Sequence, residues 1–116
     1  AIKMNWMKKH GAIAPKYNDA FAPATFDMSQ NYPNPFNPTT TIEYSVPERS
    51  RVHLRIVDML GREVDVAVDD MVETGVYHYT FDAGALPSGQ YIATVTMVGE
   101  ESGLSFSKTI KMLLNK

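Results

Sequence analysis

The chain of 116 residues contains no cysteine. This absence excludes disulfide bonds, thiolate nucleophiles and cysteine-bound zinc, so the fold must be stabilised by its hydrophobic core. Apolar residues make up 44% and charged residues 21% of the sequence, a balance typical of a globular protein. The length predicts one domain. The net charge of −2 argues against nucleic acid as a partner.

Long apolar runs are also absent. No run approaches the roughly 18 residues that a transmembrane helix needs, which excludes such a span and leaves only peripheral contact with a membrane open. The segment MKKH at positions 7–10 is similar to the basic start of a signal peptide. Pro15, Lys16 and Asp19, however, interrupt the region that would have to be apolar. We therefore expect no export signal within this chain. Either a longer precursor supplies one, or the protein begins at Ala1 and works inside the cell.

Sequence signatures of catalysis and of metal binding are missing. His10, His53 and His78 have no second histidine two or four residues away, and no GxSxG, GxGxxG or GxxxxGK[ST] motif occurs. One acidic run offers oxygen atoms to calcium: Asp65, Asp69, Asp70 and Glu73. Its spacing fits no EF-hand loop, and a solvated acidic loop is the simpler interpretation. The sequence predicts a protein that is not an enzyme and has no metal or cofactor.

The pattern along the chain predicts an extended arm followed by strands. Residues 1–25 show no sustained periodicity, and Pro15 and Pro23 interrupt any long helix. From Phe26 onward, short alternating runs rich in Val, Ile, Thr and Tyr predict strands. The alternate residues assigned to the core are Ile42, Tyr44, Val46, Val52, Leu54, Ile56, Val64, Val66, Val68, Tyr77, Tyr79, Phe81, Tyr91, Ala93, Val95 and Met97. Residues 26–116 are thus predicted to form an all-β antiparallel sandwich of about seven strands, the first a short one at 26–29.

Turn-forming residues predict how the strands are connected. Residues 47–50 predict a hairpin-type connection, and residues 58–61 predict a tight turn in which Gly61 takes a positive φ. Asp58 and Asp82 each precede a glycine-containing turn, which favours bonds from their side chains to the backbone. The long segment 82–89 predicts a crossing between sheets. Lys108 falls on the core side of the last strand, which predicts a bulge or an edge strand protected by charge.

The stretch NYPNPFNPTT at residues 31–40 is the sharpest local signal. Its three prolines confine the backbone to extended and turn conformations. Tyr32 and Phe36 are spaced to anchor in apolar surface, and Asn34 and Asn37 are suited to Asx-turns. A rigid lead into the sandwich is favoured over a polyproline-type ligand, because the only PxxP register runs from Pro35 to Pro38.

Several segments together resemble a known family. They are NYPNPFNPTTTIEYSVPE, VHLRIVDMLGREV, TGVYHY, LPSGQYIATV and KTIKMLLNK. This order resembles the type A C-terminal sorting domain of type IX secretion, which is similar to the Ig-like domain of flagellar hook-capping proteins. The resemblance covers about residues 26–116. It implies an Ig-like β-sandwich without catalytic activity that ends a secreted protein, is recognised by the outer-membrane translocon and is commonly removed afterwards.

The resemblance assigns family positions to particular residues. The opening motif corresponds to Tyr32, Pro33, Asn34, Pro35, Phe36, Asn37 and Pro38. The central turn corresponds to Gly61 and Arg62, the SGxY motif to Gly89 and Tyr91, and the basic final strand to Lys108, Lys111 and Lys116. One departure is Phe81-Asp82-Ala83, where the family usually has Trp-Asp-Gly, and a longer turn is expected there.

The first 25 residues leave two functions open. Their apolar and basic side chains make them a candidate docking arm as well as a candidate linker: Met4, Trp6, Met7, Lys8, Lys9, Tyr17 and Phe21. As a linker they imply an exported precursor and a place at the cell surface or in the medium. As a docking arm they imply a small accessory subunit in the cytoplasm, peripheral to a larger, membrane-bound energy-converting complex. Carbohydrate binding by exposed aromatic side chains is a third hypothesis.

Overall fold

The computed structural model describes residues 23–116, and the predicted arm lies almost entirely before them. The described residues form β1 (Asp27–Met28), β2 (Thr39–Val46), β3 (Ser50–Asp58), β4 (Glu63–Val72), β5 (Gly75–Asp82), β6 (Gly89–Gly99) and β7 (Ser105–Leu114). The docking candidates outside the described residues are Met4, Trp6, Met7, Lys8, Lys9, Tyr17 and Phe21. Among residues 23–116 no helix is present, and therefore none that could span a membrane.

Two antiparallel sheets face each other across the core. One has the order β1-β2-β5 and the other the order β4-β3-β6-β7. The alternating side chains of β2, β3 and β6 point into the space between the sheets, because successive residues of a strand face opposite sides. The predicted core residues of these three strands are buried: Ile42, Tyr44, Val46, Val52, Leu54, Ile56, Tyr91, Ala93, Val95 and Met97. The predicted seven-stranded sandwich is confirmed.

The predicted hairpin at residues 47–50 is wrong. β2 pairs with β1 and β5, whereas β3 pairs with β4 and β6, so these residues carry the chain from one sheet to the other. Pro47 has no N–H with which to extend the ladder of β2. Thr74 Oγ1 donates to the carbonyl oxygens of Val46 and Pro47 at 3.0 and 3.1 Å. The alternation of a strand shows which face is buried but not which strand lies beside it.

Other connections follow the predictions. The tight turn at residues 58–61 joins β3 to its neighbour β4, and segment 82–89 crosses from β5 in one sheet to β6 in the other. β7 is an edge strand whose register with β6 has no shift, so Lys108 lies at an edge and not in a bulge. Its ammonium group is 3.2 Å from Asp27 Oδ1. This hydrogen bond, together with the N–H of Met28, holds the pKa of Asp27 below its usual value.

β4 departs from the expected alternation. The register between β3 and β4 shifts at Ala67, which is an extra residue in β4 and forms a bulge. On the N-terminal side of Ala67 the two faces of β4 exchange, so that Asp65 instead of Val66 faces the core. Val66 is therefore 41% exposed, and Asp65 lies opposite the buried Ile56. The prediction that Val66 faces the core is therefore wrong, because one inserted residue reverses the side on which the residues beyond it lie.

The hydroxyl groups of Tyr79 and Tyr44 differ in their hydrogen bonding. Tyr79 donates its hydroxyl hydrogen to Asp65 Oδ2 and so satisfies the carboxylate that the bulge turns inward. Burial, reinforced by this carboxylate, raises the pKa of Tyr79. Tyr44 is 1% exposed, and its hydroxyl has no hydrogen-bond partner among the described residues. Burial, with a smaller effect of the stacked Tyr77, raises the pKa of Tyr44.

The first prediction compares these two hydroxyl groups. Tyr79→Phe should lower the free energy of unfolding by about 1–2 kcal/mol, because it leaves a half-buried carboxylate without its donor. Tyr44→Phe removes a hydroxyl that makes no hydrogen bond, and we expect no loss or a small gain. Equilibrium urea denaturation of both variants beside the wild type measures the difference. Equal losses in the two variants would contradict the assignment.

The second prediction concerns the domain boundary. Deleting residues 1–22 should leave the melting temperature unchanged, because the hydrophobic core of the described residues runs from Met28 to Leu114 and both sheets are built from these residues. Deleting residues 1–28 should lower it, since Phe26 stacks on Phe106 with ring centroids 6.0 Å apart and Met28 is fully buried. Thermal unfolding followed by circular dichroism tests both deletions. A large loss in the shorter deletion would show that the domain begins earlier in the chain.

Candidate functional site

The segments that carry the family resemblance meet at one end of the sandwich. β6 begins there and β3 and β7 end there, because Asp58 lies opposite Tyr91 and Gly89 lies opposite Leu114. β2 also begins there, because Phe36, shortly before it in the chain, pairs with Leu114. We call this end the motif end; it comprises residues 31–38, 58–62, 83–89 and 113–116. The opposite end, which we call the distal end, carries the connections at residues 47–49, 73–74 and 100–104.

The opening segment is hydrogen-bonded to the free edge of β7. The N–H of Phe36 donates to the carbonyl oxygen of Leu113 at 2.9 Å, and its carbonyl accepts from the N–H of Asn115 at 3.0 Å. Asn34 Oδ1 accepts from the N–H of Leu113 at 2.9 Å, and Gln30 Nε2 donates to the carbonyl of Lys111 at 2.7 Å. These bonds cover an edge that would otherwise expose unpaired backbone groups.

Phe36 and Tyr32 have opposite environments. Phe36 is 2% exposed and lies 6.0 Å, centroid to centroid, from Phe81, so its predicted role as an anchor is confirmed. Tyr32 is 82% exposed, and its predicted anchoring is wrong. The backbone of Tyr32 pairs with Thr41, whose neighbours in β2, Thr40 and Ile42, are the residues that face the core. Residues opposite each other in a pair share a face, so Tyr32 points outward.

The two asparagines predicted to close Asx-turns do not do so. Asn34 bonds to β7 instead of to its own turn. Asn37 is exposed, and its side chain makes no hydrogen bond to any residue in 23–116. All three X-Pro peptide bonds of the segment are cis, at Pro33, Pro35 and Pro38. The Asx-turn prediction for Asn34 considered only neighbouring residues. It could not account for Leu113, the hydrogen-bond donor in β7, which lies 79 residues further along the chain.

Asn31 is the residue of this segment that sequence reasoning missed. It is 2% exposed, and its Nδ2 donates to Thr40 Oγ1 at 3.0 Å and to the carbonyl of Pro33 at 3.2 Å. Its Oδ1 accepts from Gln30 Nε2 at 2.7 Å. Both hydrogens and the oxygen of the amide are thus engaged, which offsets the cost of burying it. The one indication in the sequence was that Asn31 is the first residue of the proline-rich stretch at residues 31–40.

The turn at residues 58–62 is organised by Asp58, as predicted. Asp58 Oδ1 accepts from the N–H groups of Leu60 and Arg62 at 2.9 and 3.0 Å, and Oδ2 accepts from Arg62 Nε at 2.8 Å. Desolvation acts to raise the pKa of Asp58, but the bonds from Arg62 and Leu60 outweigh it and hold that pKa below its usual value. Gly61 has a φ of 83°, which side chains disfavour. The Gly-Arg pair of the central turn therefore has a conformational and an electrostatic role within the turn.

The loop before β6 is bonded to the end of the chain. Lys116 Nζ donates to the carbonyl of Gly84 at 2.7 Å, and the N–H of Lys116 donates to Ser88 Oγ at 3.0 Å. Asp82 Oδ1 accepts from the N–H of Gly84 at 2.9 Å, which confirms the predicted aspartate turn. The hydroxyl of Tyr91 donates to the carbonyl of Pro87 at 2.6 Å. The SGxY tyrosine therefore supports the loop from within the core.

The remaining family positions divide between the two parts of β7. Lys111 is exposed and lies three residues from Leu114, close to the motif end, whereas Lys108 lies further along the strand, opposite Val95. The basic residues of the last strand thus do not form one cluster. Lys108 pairs with Asp27, and Lys116 is bonded within the motif end.

An open groove separates the central turn from the loop before β6. It has a volume of about 510 Å³. Its walls are Met59, Leu60 and Arg62 on one side and Leu86 and Pro87 on the other. The hydrogen bonds of Asp58 fix one wall and those of the loop fix the other, so both walls of the groove are held in place.

The other sites considered from the sequence find no support within residues 23–116. No group of three potential metal-binding side chains occurs there. In the acidic run, Asp69 pairs with Arg51 at 2.8 Å and Glu73 pairs with Arg49 at 3.0 Å. Carbohydrate binding would need exposed rings among the aromatic residues Tyr77, Tyr79, Phe81 and Tyr91, but three of these are buried and Tyr79 is half-buried, so they present no flat exposed platform.

Comparison with known proteins identifies the family. The family model for the secretion system C-terminal sorting domain matches residues 30–111, which is most of the chain. Neither a curated protein nor a solved structure matches. The match begins in the opening segment and runs through the central turn, the SGxY motif and the greater part of β7. This is not a catalytic family, and the chain belongs to it as a C-terminal sorting module of type IX secretion.

Proposed function

We propose that this chain directs the export of a longer precursor across the outer membrane and is recognised there through its motif end. The observation that carries the proposal is the convergence of four segments, spread over residues 31–116, at one end of the sandwich. Internal packing accounts for Phe36, Asn31 and Asp58, which are bonded or buried within the domain.

Internal packing does not account for two exposed family positions, Tyr32 in the motif end and Lys111 close to it. Tyr32 presents a large aromatic side chain that is 82% exposed, and Lys111 presents a cation that forms no ion pair within residues 23–116. Tyrosine is enriched at protein interfaces, where a rigid ring contributes area at a low entropy cost, whereas a lysine contributes there mainly through its charge. These two residues are our candidates for direct contact with the translocon.

The path of the chain leaves the motif end accessible. β1 pairs with the far end of β2, where Asp27 lies opposite Ser45, and Ser45 Oγ donates to the carbonyl of Thr25 at 3.1 Å. The described chain therefore starts nearer the distal end. Residues 25–28 therefore lie away from the motif end, and this part of the chain leaves it accessible to a translocon. We expect delivery of the precursor to the cell surface or to the medium.

The third prediction tests the export function. A fluorescent reporter that carries a signal peptide before it and this chain after it should reach the surface or the medium of a bacterium with a type IX system. In a strain that lacks the outer-membrane translocon, the same fusion should remain in the periplasm. Fractionation and surface proteolysis measure both outcomes. Retention of the fusion in the secreting strain would contradict the proposed function.

The fourth prediction tests the exposed residues. Tyr32→Ser together with Lys111→Gln should lower export about tenfold, which corresponds to ~1.4 kcal/mol of lost binding, and should leave the melting temperature unchanged. Leu104→Ser is the matched control, because Leu104 is 63% exposed and lies at the distal end. Export of the double variant at the wild-type level would place recognition on another surface.

A further inference from the structure

The tip of the β3–β4 turn presents two adjacent apolar side chains to solvent. Met59 is 60% and Leu60 is 77% exposed. Burying such a side chain is favourable by about 1.5–3 kcal/mol, so covering Met59 and Leu60 with a partner would contribute to the free energy of binding. Single exposed apolar residues are common and need no explanation, but here two neighbours form the rim of a groove whose other side is also apolar.

The turn that carries the pair is held in one conformation by its own hydrogen bonds. The carboxylate of Asp58 accepts three of them, its carbonyl oxygen accepts a fourth from the N–H of Gly61 at 3.0 Å, and its N–H donates to the carbonyl of Arg62 at 2.9 Å. Arg62 is thereby a positioning residue, because its guanidinium is engaged 2.8 Å from Asp58 Oδ2. A surface that is already ordered loses little conformational entropy on binding, so most of the contact energy remains available.

The groove behind the tip rests on the core of the sandwich. Val64 and Leu86 line it, and both pack against the buried residues. Pro87 is exposed on the far wall and is fixed through the hydroxyl of Tyr91. The tip and the groove therefore form one apolar surface with rigid walls.

The polar groups of the groove argue against a small-molecule ligand. Sites for small molecules combine apolar walls with a few free polar groups that orient the ligand. Here the ion pair of Asp58 and Arg62 is closed, Ser88 Oγ accepts from the N–H of Lys116, and the hydroxyl of Tyr91 is bonded to Pro87. Among the described lining side chains, Glu63 and Gln90 keep free polar groups, and both are exposed, so neither is held in a fixed position to orient a ligand.

The charges of the groove argue against an anionic membrane surface. Asp58 and Arg62 neutralise each other, whereas Glu63 is exposed and makes no ion pair within residues 23–116. The lining thus carries one uncompensated negative charge, which anionic lipid headgroups would repel. The same charge disfavours an acidic protein segment, whereas an apolar segment without acidic side chains fits the apolar walls.

We propose that the Met59–Leu60 tip and its groove bind an uncharged apolar segment of the outer-membrane translocon. This inference rests on the proposed export function and adds its chemistry: recognition at the central turn is apolar, and the family arginine holds the turn in shape without contacting the partner. The partner segment covers the two exposed side chains and places an apolar side chain of its own between Leu60 and Pro87.

The fifth prediction uses the same reporter fusion in the secreting bacterium. Met59→Ser with Leu60→Ser should lower export about tenfold, equivalent to ~1.4 kcal/mol. Met59→Leu with Leu60→Met keeps the surface apolar and should retain wild-type export. Leu104→Ser, at the distal end, is the matched control and should also be exported. The purified domains should all show the melting temperature of the wild type, since the replaced side chains are exposed.

The outcomes separate this inference from the proposed function. Loss of export in the serine variant alone supports apolar recognition at the tip. Wild-type export of the serine variant overturns this inference and leaves the export function standing, whereas retention of the unmodified fusion overturns the export function itself.

Two further measurements identify other occupants of the surface. Light scattering of the purified wild-type domain that shows a dimer, and a monomer for the serine variant, would assign the tip to a second copy of the chain. Flotation of the wild type, but not of the variant, with vesicles of phosphatidylethanolamine and phosphatidylglycerol would assign it to the membrane. Either result overturns the proposal of a translocon segment, and a monomer that stays off the vesicles supports it.

Discussion

The hydrogen bonds that fasten the opening segment to the edge of β7 are the constraint on which the motif end depends. Phe36 exchanges two backbone bonds with Leu113 and Asn115, and its ring is buried beside Phe81 of the opposite sheet. The segment thus joins the two sheets and covers the one edge strand that ends the chain. With Phe36 in place, Asn34 reaches the backbone of β7, and Tyr32 is left on the outside.

This arrangement divides the family positions into two groups. Asn34, Phe36 and Tyr91 hold the domain together through contacts within it. Gly61 and Arg62 shape a turn, because the positive φ and the bond to Asp58 are both internal. The exposed group includes an aromatic ring, Tyr32, and a cation, Lys111, and the turn tip adds two apolar side chains, Met59 and Leu60, that are not family positions. A partner protein can contact only the exposed side chains, but the internal contacts of the first group hold those side chains in position.

Ion pairs and hydrogen bonds of charged side chains connect the loops of the distal end. Arg49 bridges Glu73 at 3.0 Å and Glu100 at 2.8 Å and so links two of the connections there. Glu48 Oε1 accepts from the N–H groups of Glu101 and Ser102, both at 3.0 Å. Exposed ion pairs stabilise only weakly, and their partners remain hydrated. The distal end therefore presents hydrated charges to solvent, whereas the motif end presents the exposed apolar side chains of Met59 and Leu60.

The sequence by itself determined the strands, the core residues of β2, β3 and β6, the turn of Asp58 and Gly61, and the family, because these depend on local periodicity and on turn chemistry. Only the tertiary structure decided which strands pair. It placed residues 47–50 between sheets, inserted Ala67 as a bulge that turns Val66 outward, and set Tyr32 on the surface. The motif end itself was also beyond the sequence, since its four segments are brought together by strand register. The physical reason is that alternation specifies a buried face, whereas neighbours and ends are fixed by hydrogen bonds between residues far apart in the chain.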